Sequence, residues 1–179
     1  MYPIAHVVAA SGAAWSAERL AHRLVRSRST TSGDRAAGDS GLLFDYRLVA
    51  AGAWLPDAMD KPLAWFILRG RVEDDHLFGH TLLFGLVLAV PGLCLAWRGQ
   101  AALISVAGGV IAHRLCDPIW PEIDTLVWPL NGLTFEHSTT PYFGIYMLLE
   151  ILALAVLFLY TRLIWDRGRM WLLLGAGRI

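Results

Sequence analysis

Residues 142–164 read YFGIYMLLEILALAVLFLYTRLI, and this run decides the fold. A helix crossing a bilayer needs about 20 predominantly apolar residues. The run has them, with one acidic residue, Glu150, and no charge at all from residue 151 to residue 161. A helix at the surface of a soluble domain would carry a polar stripe. Its absence makes this a membrane-spanning segment.

The rest of the chain agrees. Its 179 residues are 56% hydrophobic and only 17% charged, with a mean hydropathy of +0.49, whereas soluble proteins are about a quarter charged. A formal net charge of zero gives no sign of a nucleic-acid partner. Cys94 and Cys116 lie in apolar stretches and read as small buried hydrophobes, with no disulfide framework. The start, MYPIAHVVAASGAAW, has no Lys or Arg ahead of its apolar part, so it reads as a short mature helix and not as a cleaved signal.

Two further spans follow. Residues 78–97, FGHTLLFGLVLAVPGLCLAW, form one, with a kink expected at Pro91. Residues 100–116, QAALISVAGGVIAHRLC, form another of about 25 Å. Segments 2–17 and 42–56 complete a set of five as short or tilted helices. The predicted fold is an all-α, polytopic membrane bundle forming a single domain over 1–179. Residues 27–41, SRSTTSGDRAAGDSG, are Ser-, Gly- and Asp-rich without periodicity and read as a flexible cytoplasmic loop.

Five helices divide the basic residues between two faces. Arg19, Arg23, Arg26, Arg28, Arg35, Arg47, Arg98, Arg162, Arg167, Arg169 and Arg178 share one side, which makes eleven. Lys61, Arg69, Arg71 and Arg114, four in all, share the other. The positive-inside bias places the C-terminus in the cytoplasm and the N-terminus outside.

That topology gathers the unusual polar residues. HLFGHTLLF, residues 76–84, puts His76 and His80 at the outer mouth of a helix. His6 lies near the outer end of the first helix. Asp57 and Asp60, bracketed by Pro56 and Pro62, lie at the outer end of the second, in a turn or a helix. His113 and Asp117 leave the fourth there. Residues three or four apart share a helix face, so three pairs converge. Imidazole and carboxylate together suit zinc, and also manganese or iron. His6, Asp57, Asp60, His80, His113 and Asp117 are therefore candidate ligands for one or two divalent ions. Glu150, about 12 Å along the last span, must face the bundle interior, as ligand, general base or structural acid. Asp60, His80 and Glu150 are the candidate catalytic groups. Glu136 and His137 could rim the site, with Trp120, Trp128 and Tyr142 as interface anchors or pocket walls. His22 reads as surface.

The ordered set AHVVAA, GAWLPDAMDKP, FGHTLLF, AHRLCD and LVWPL resembles the prokaryotic membrane-bound metal-dependent hydrolases, from about residue 2 to about residue 160. The resemblance implies a helical protein of the cell membrane and metal-dependent hydrolysis, related by motif to zinc-dependent phospholipase C. It carries ligand candidacy to His6, Asp57, Asp60, His80, His113 and Asp117. The expected function is hydrolysis of a phosphoester or lipid-like substrate at the outer face by metal-activated water, with the bilayer as partner. Two other classes remain: a metal or ion transporter component, and a structural membrane protein whose polar cluster ties helices together.

The charge bias makes a direct prediction. With Cys94 and Cys116 replaced by Ser, Ser32→Cys should be shielded from a membrane-impermeant thiol reagent in intact cells, and Thr139→Cys should react. The opposite labelling would invert the topology.

Overall fold

The computed structural model describes residues 3–28, 44–69, 71–72, 75–117, 123–135 and 143–178. Those residues form seven α-helices: α1 (Pro3–Arg28), α2 (Tyr46–Pro62), α3 (Leu82–Ala96), α4 (Ala102–Cys116), α5 (Ile123–Val127), α6 (Phe143–Asp166) and α7 (Met170–Ala176). No strand is named among them. α1, α2, α3, α4 and α6 are the five expected helices, and α5 and α7 are short additions. α6 contains the stretch Met147–Asp166, which is long and apolar enough to cross a membrane, while α3 and α4 are apolar but shorter.

Several boundaries differ from expectation. α1 continues to Arg28, so the first two residues of the expected loop are helical, and residues 29–43 lie outside the described set. α2 runs through Pro56 to Pro62 and then widens into a π-helical turn at Leu63–Ile67, so LPDAMDKP is helix and not turn. Cys94 and Cys116 are exposed, not buried. An apolar exterior accepts a thiol as readily as an apolar core does.

Helix ends follow local chemistry. Asp45 caps α2 by accepting from the Arg47 N–H, and Thr81 caps α3 by accepting from the Phe84 N–H. Past α6, Gly168 takes a positive φ of 64°, which turns the chain into α7.

α2 and α4 are the central pair. They run parallel, since the Asp45 N–H donates to Ser105 Oγ at their starts (2.9 Å) and His113 bonds the Ala53 carbonyl further along (2.7 Å). Two glycines set their approach. A Cβ on Gly52 would strike the Val106 carbonyl, and one on Gly109 would strike the Val49 carbonyl and the backbone of Gly52 and Ala53. α1 packs antiparallel to them through a small-residue face, with Ala10 and Ala14 buried against Tyr46, Val49 and Ala53. One end of the bundle therefore gathers Glu18, Phe44, Tyr46 and Ser105, tied by Tyr46 Oη–H donating to Glu18 (2.7 Å). The other end gathers the His/Asp residues.

Gly109→Leu should lower the thermal midpoint in detergent steeply, since overpacking costs about 1–3 kcal/mol even without a backbone clash. Gly85→Ala should be neutral or stabilising, because a Cβ there meets nothing within 4 Å. Equal midpoints for the two variants would refute the glycine-dependent contact.

Candidate metal centre

Asp60 organises the site. It is fully buried on α2, and its carboxylate accepts from the backbone N–H of Leu77 (2.8 Å), Gly79 (2.9 Å) and His80 (3.2 Å) and from His80 Nδ1 (2.7 Å). Four donors fold the 3₁₀ turn Phe78–His80 against α2 and orient one imidazole. Gly79 is required by proximity, because a Cβ there would come 2.8 Å from Pro56 Cα and 3.2 Å from Asp60 Oδ1. The motif Phe78-Gly79-His80 is thus a turn shaped to present His80.

His113, on α4, is oriented in the same way. Its Nδ1 lies 2.7 Å from the Ala53 carbonyl, which can only accept. Nδ1 must carry the hydrogen, as must Nδ1 of His80 facing the Asp60 carboxylate. A neutral ring then leaves Nε2 as a bare lone pair. The two Nε2 atoms face each other at 3.2 Å. Asp117 Oδ2 lies 3.2 Å from His113 Nε2 and 3.6 Å from His80 Nε2. Three acceptors thus form a small triangle with no hydrogen among them. A cation resolves the repulsion. Four tetrahedral ligands about 2.05 Å from a zinc ion lie about 3.3 Å apart, so the triangle has the dimensions of one face of such a site.

The surroundings fit a divalent ion. Asp57 Oδ1 is 3.8 Å from His80 Nε2, and Asp57 Oδ2 and Asp117 Oδ2 are buried without a hydrogen-bond donor. Asp57, Asp60, Asp75 and Asp117 carry four negative charges here, against Lys61 (2.9 Å from Asp57 Oδ1 and 3.7 Å from Asp75) and Arg114 (3.7 Å from Asp117). With neutral imidazoles the described cluster is left at minus two, the charge one divalent cation balances. Pinned rings with a bare Nε2 are the usual state of metal-ligating histidines.

His6 and His76 flank the triangle. His6 Nε2 is 3.0 Å from Asp117 Oδ1, and its ring stacks on His113 at 4.1 Å. His76 sits beside His80 with ring centres 4.3 Å apart. Three overlapping groups have ligand atoms within 4.8 Å of one another: His6–His113–Asp117, Asp57–His80–His113 and His76–His80–Asp117. Each of His80 and His113 offers one nitrogen, so a second ion would draw on His6 or His76.

The structure thus brings together His6, Asp57, His80, His113 and Asp117. Asp60 stands one step behind, with its oxygens already engaged. Glu150 is elsewhere occupied: its two oxygens accept from the Ile4 and Ala5 N–H groups, each at 2.9 Å, capping the start of α1. It joins none of the three groups. His22 is exposed. Trp128 packs edge-on to Phe78 (5.2 Å) as an aromatic wall beside the turn. Glu136, His137, Trp120 and Tyr142 lie outside the described residues. Lys61 and Arg114, both buried, were counted from sequence only as charge bias. The signal for Lys61 was its spacing of four from Asp57.

His80→Ala and His113→Ala should each strip divalent metal from the purified protein, measured by elemental analysis, while His22→Ala should not. Asp60→Asn should retain the ligands but bind metal about 10–100-fold more weakly, because the amide cannot accept all four hydrogens. Retention should fall at acidic pH as protons compete for the same lone pairs. Undiminished metal in the His113→Ala protein would reject the triangle.

Comparisons of the chain with protein-family models, curated proteins and solved structures give no match, so the site stands on its own geometry.

Proposed function

We propose that the protein is a polytopic membrane bundle that hydrolyses a phosphoester, on an amphipathic or lipid-like substrate, at the outer face of the cell membrane. The observation that carries the chemistry is the triangle of His80 Nε2, His113 Nε2 and Asp117 Oδ2 with Asp57 beside it. Two histidines and one carboxylate with an open fourth position form a donor set used by hydrolytic zinc enzymes, and manganese or iron accepts similar donors.

The membrane reading is supported by where the bulk lies. α3 exposes Leu82, Leu86, Val87, Val90 and Leu93, and α6 exposes Leu152 and Phe158. The buried apolar residues of α1 are Ala10 and Ala14. Large apolar residues outside and small ones between helices suit lipid as the solvent.

A bound divalent ion would polarise a phosphoryl oxygen and make water a stronger acid. Asp57 has the complementary role. Lys61 occupies its Oδ1, and its buried Oδ2 has no donor, so Oδ2 is the group to take a proton from attacking water. Four elements meeting at one end of the bundle suit a substrate whose apolar part stays in the bilayer.

A panel of phosphoesters, offered to the protein in liposomes, tests this reading. Hydrolysis should stop on chelation and return with zinc or manganese. Asp57→Asn should slow it about a hundredfold or more while leaving most of the metal bound, as loss of a general base does. A metal-loaded wild type inert across the panel would reject hydrolysis and direct attention to metal flux across the vesicle wall.

A further inference from the structure

A second apolar feature lies away from the metal centre. A cleft of about 500 Å³ separates α1 and α2 from α6 and α7, and it is walled by Val8, Gly12, Trp15, Ala50, Leu157 and Leu174 among others. Its volume falls within the range of small-molecule sites. The cleft has a simple cause. α6 is fastened to α1 at one end by Glu150 on Ile4 and Ala5. At the other end α7 is fastened to α2, where Arg47 Nη1 donates to the Leu174 and Gly175 carbonyls (2.9 and 3.1 Å). Between the fastenings α1 and α2 present Ser11, Gly12 and Ala50, which are too small to fill the gap. A Cβ on Gly12 would meet nothing within 4 Å.

The charged groups of the cleft lie at one end. Arg47 lines it there, and Arg19 holds its guanidinium 4.5 Å over the Trp15 ring. Arg167 and Arg169 are exposed in the turn that leads into Met170 on the cleft wall. Asp45 pairs with Arg47, and Asp166 with Arg162, which leaves Arg19, Arg167 and Arg169 against the single carboxylate of Glu18 as a net positive excess at the mouth. An apolar slot with a basic mouth matches a chain with an anionic head.

We propose that this cleft binds one acyl chain of an anionic glycerophospholipid, with the phosphate among Arg19, Arg47 and Arg169. The proposal rests on the membrane part of the reading above and not on the hydrolysis. Arg47 opens α2, and Asp57 lies ten residues, about 15 Å, along it. The lipid phosphate therefore lies at the other end of α2 from Asp57, and the lipid is a resident and not the substrate.

Trp15 lines the cleft and supplies the probe. The full-length protein would be placed in phosphatidylcholine vesicles containing a few mole per cent of phosphatidylglycerol with brominated acyl chains, which quench tryptophan on contact. The Trp15 contribution is the difference between wild type and Trp15→Phe. It should be quenched to saturation at low mole fraction of the brominated anionic lipid, while brominated phosphatidylcholine quenches only in proportion to its abundance. Gly12→Leu and Ala50→Leu, which fill the slot from α1 and from α2, should both abolish the saturable component without reducing bound metal. Arg19→Gln should require about fivefold more anionic lipid for half-quenching. Quenching proportional to mole fraction for both headgroups in the wild type would overturn the proposal. A protein that stays in the aqueous phase and never joins the vesicles would overturn the membrane reading along with it.

Discussion

The Asp60 carboxylate is the interaction on which the site depends. It draws three backbone N–H groups and one imidazole N–H to a single buried side chain. A buried carboxylate is costly unless its lone pairs are satisfied, and charge-assisted bonds are about twice as strong as neutral ones. The desolvation of Asp60 is thereby offset by the same bonds that fix the turn, the ring orientation and the proton on His80. The α2–α4 glycine contact does the rest, because it brings His113 to the face of the imidazole that Asp60 has set.

The two ends of the bundle use polar groups differently. At the Glu18 end the groups complement each other: a phenol and a backbone N–H donate to a carboxylate, and no lone pair is left facing another. At the His80 end acceptors face acceptors. Natural buried polar groups are nearly always paired, so a local departure marks a place where something other than the protein completes the arrangement. The contrast lies within one short bundle with the same helices supplying both layers.

Much of this was legible in the sequence. The helices α3, α4 and α6 follow from uninterrupted apolar runs, and counting Lys and Arg sorted His6, Asp57, His80, His113 and Asp117 to one end. The roles within the cluster were not legible. Spacing places Asp57 and Asp60 near the same face but cannot say that Asp60 turns to the backbone of a segment 17 to 20 residues on. Nor can it say that Glu150 meets backbone N–H groups, which the sequence does not advertise as partners. Pro56 and Pro62 left a turn at Asp57 as open as a helix because proline disfavours helix locally; tertiary packing of α2 against α4 decides for the helix. Lys61 was hidden by its charge, which fitted the topology count and so raised no question.

The Glu150 clamp has a consequence for how the molecule is built. The leading N–H groups of a helix have no partners within it. Two of those of α1 find theirs on α6, roughly 145 residues away in the chain. The start of α1 is the turn that carries His6. The cap on that turn is therefore missing until α6 has been made and packs beside it, so the most sequence-distant pair of long helices must meet before the His6 flank of the candidate site is complete. A chain cut short before α6 would retain the residues of the triangle without the support behind His6.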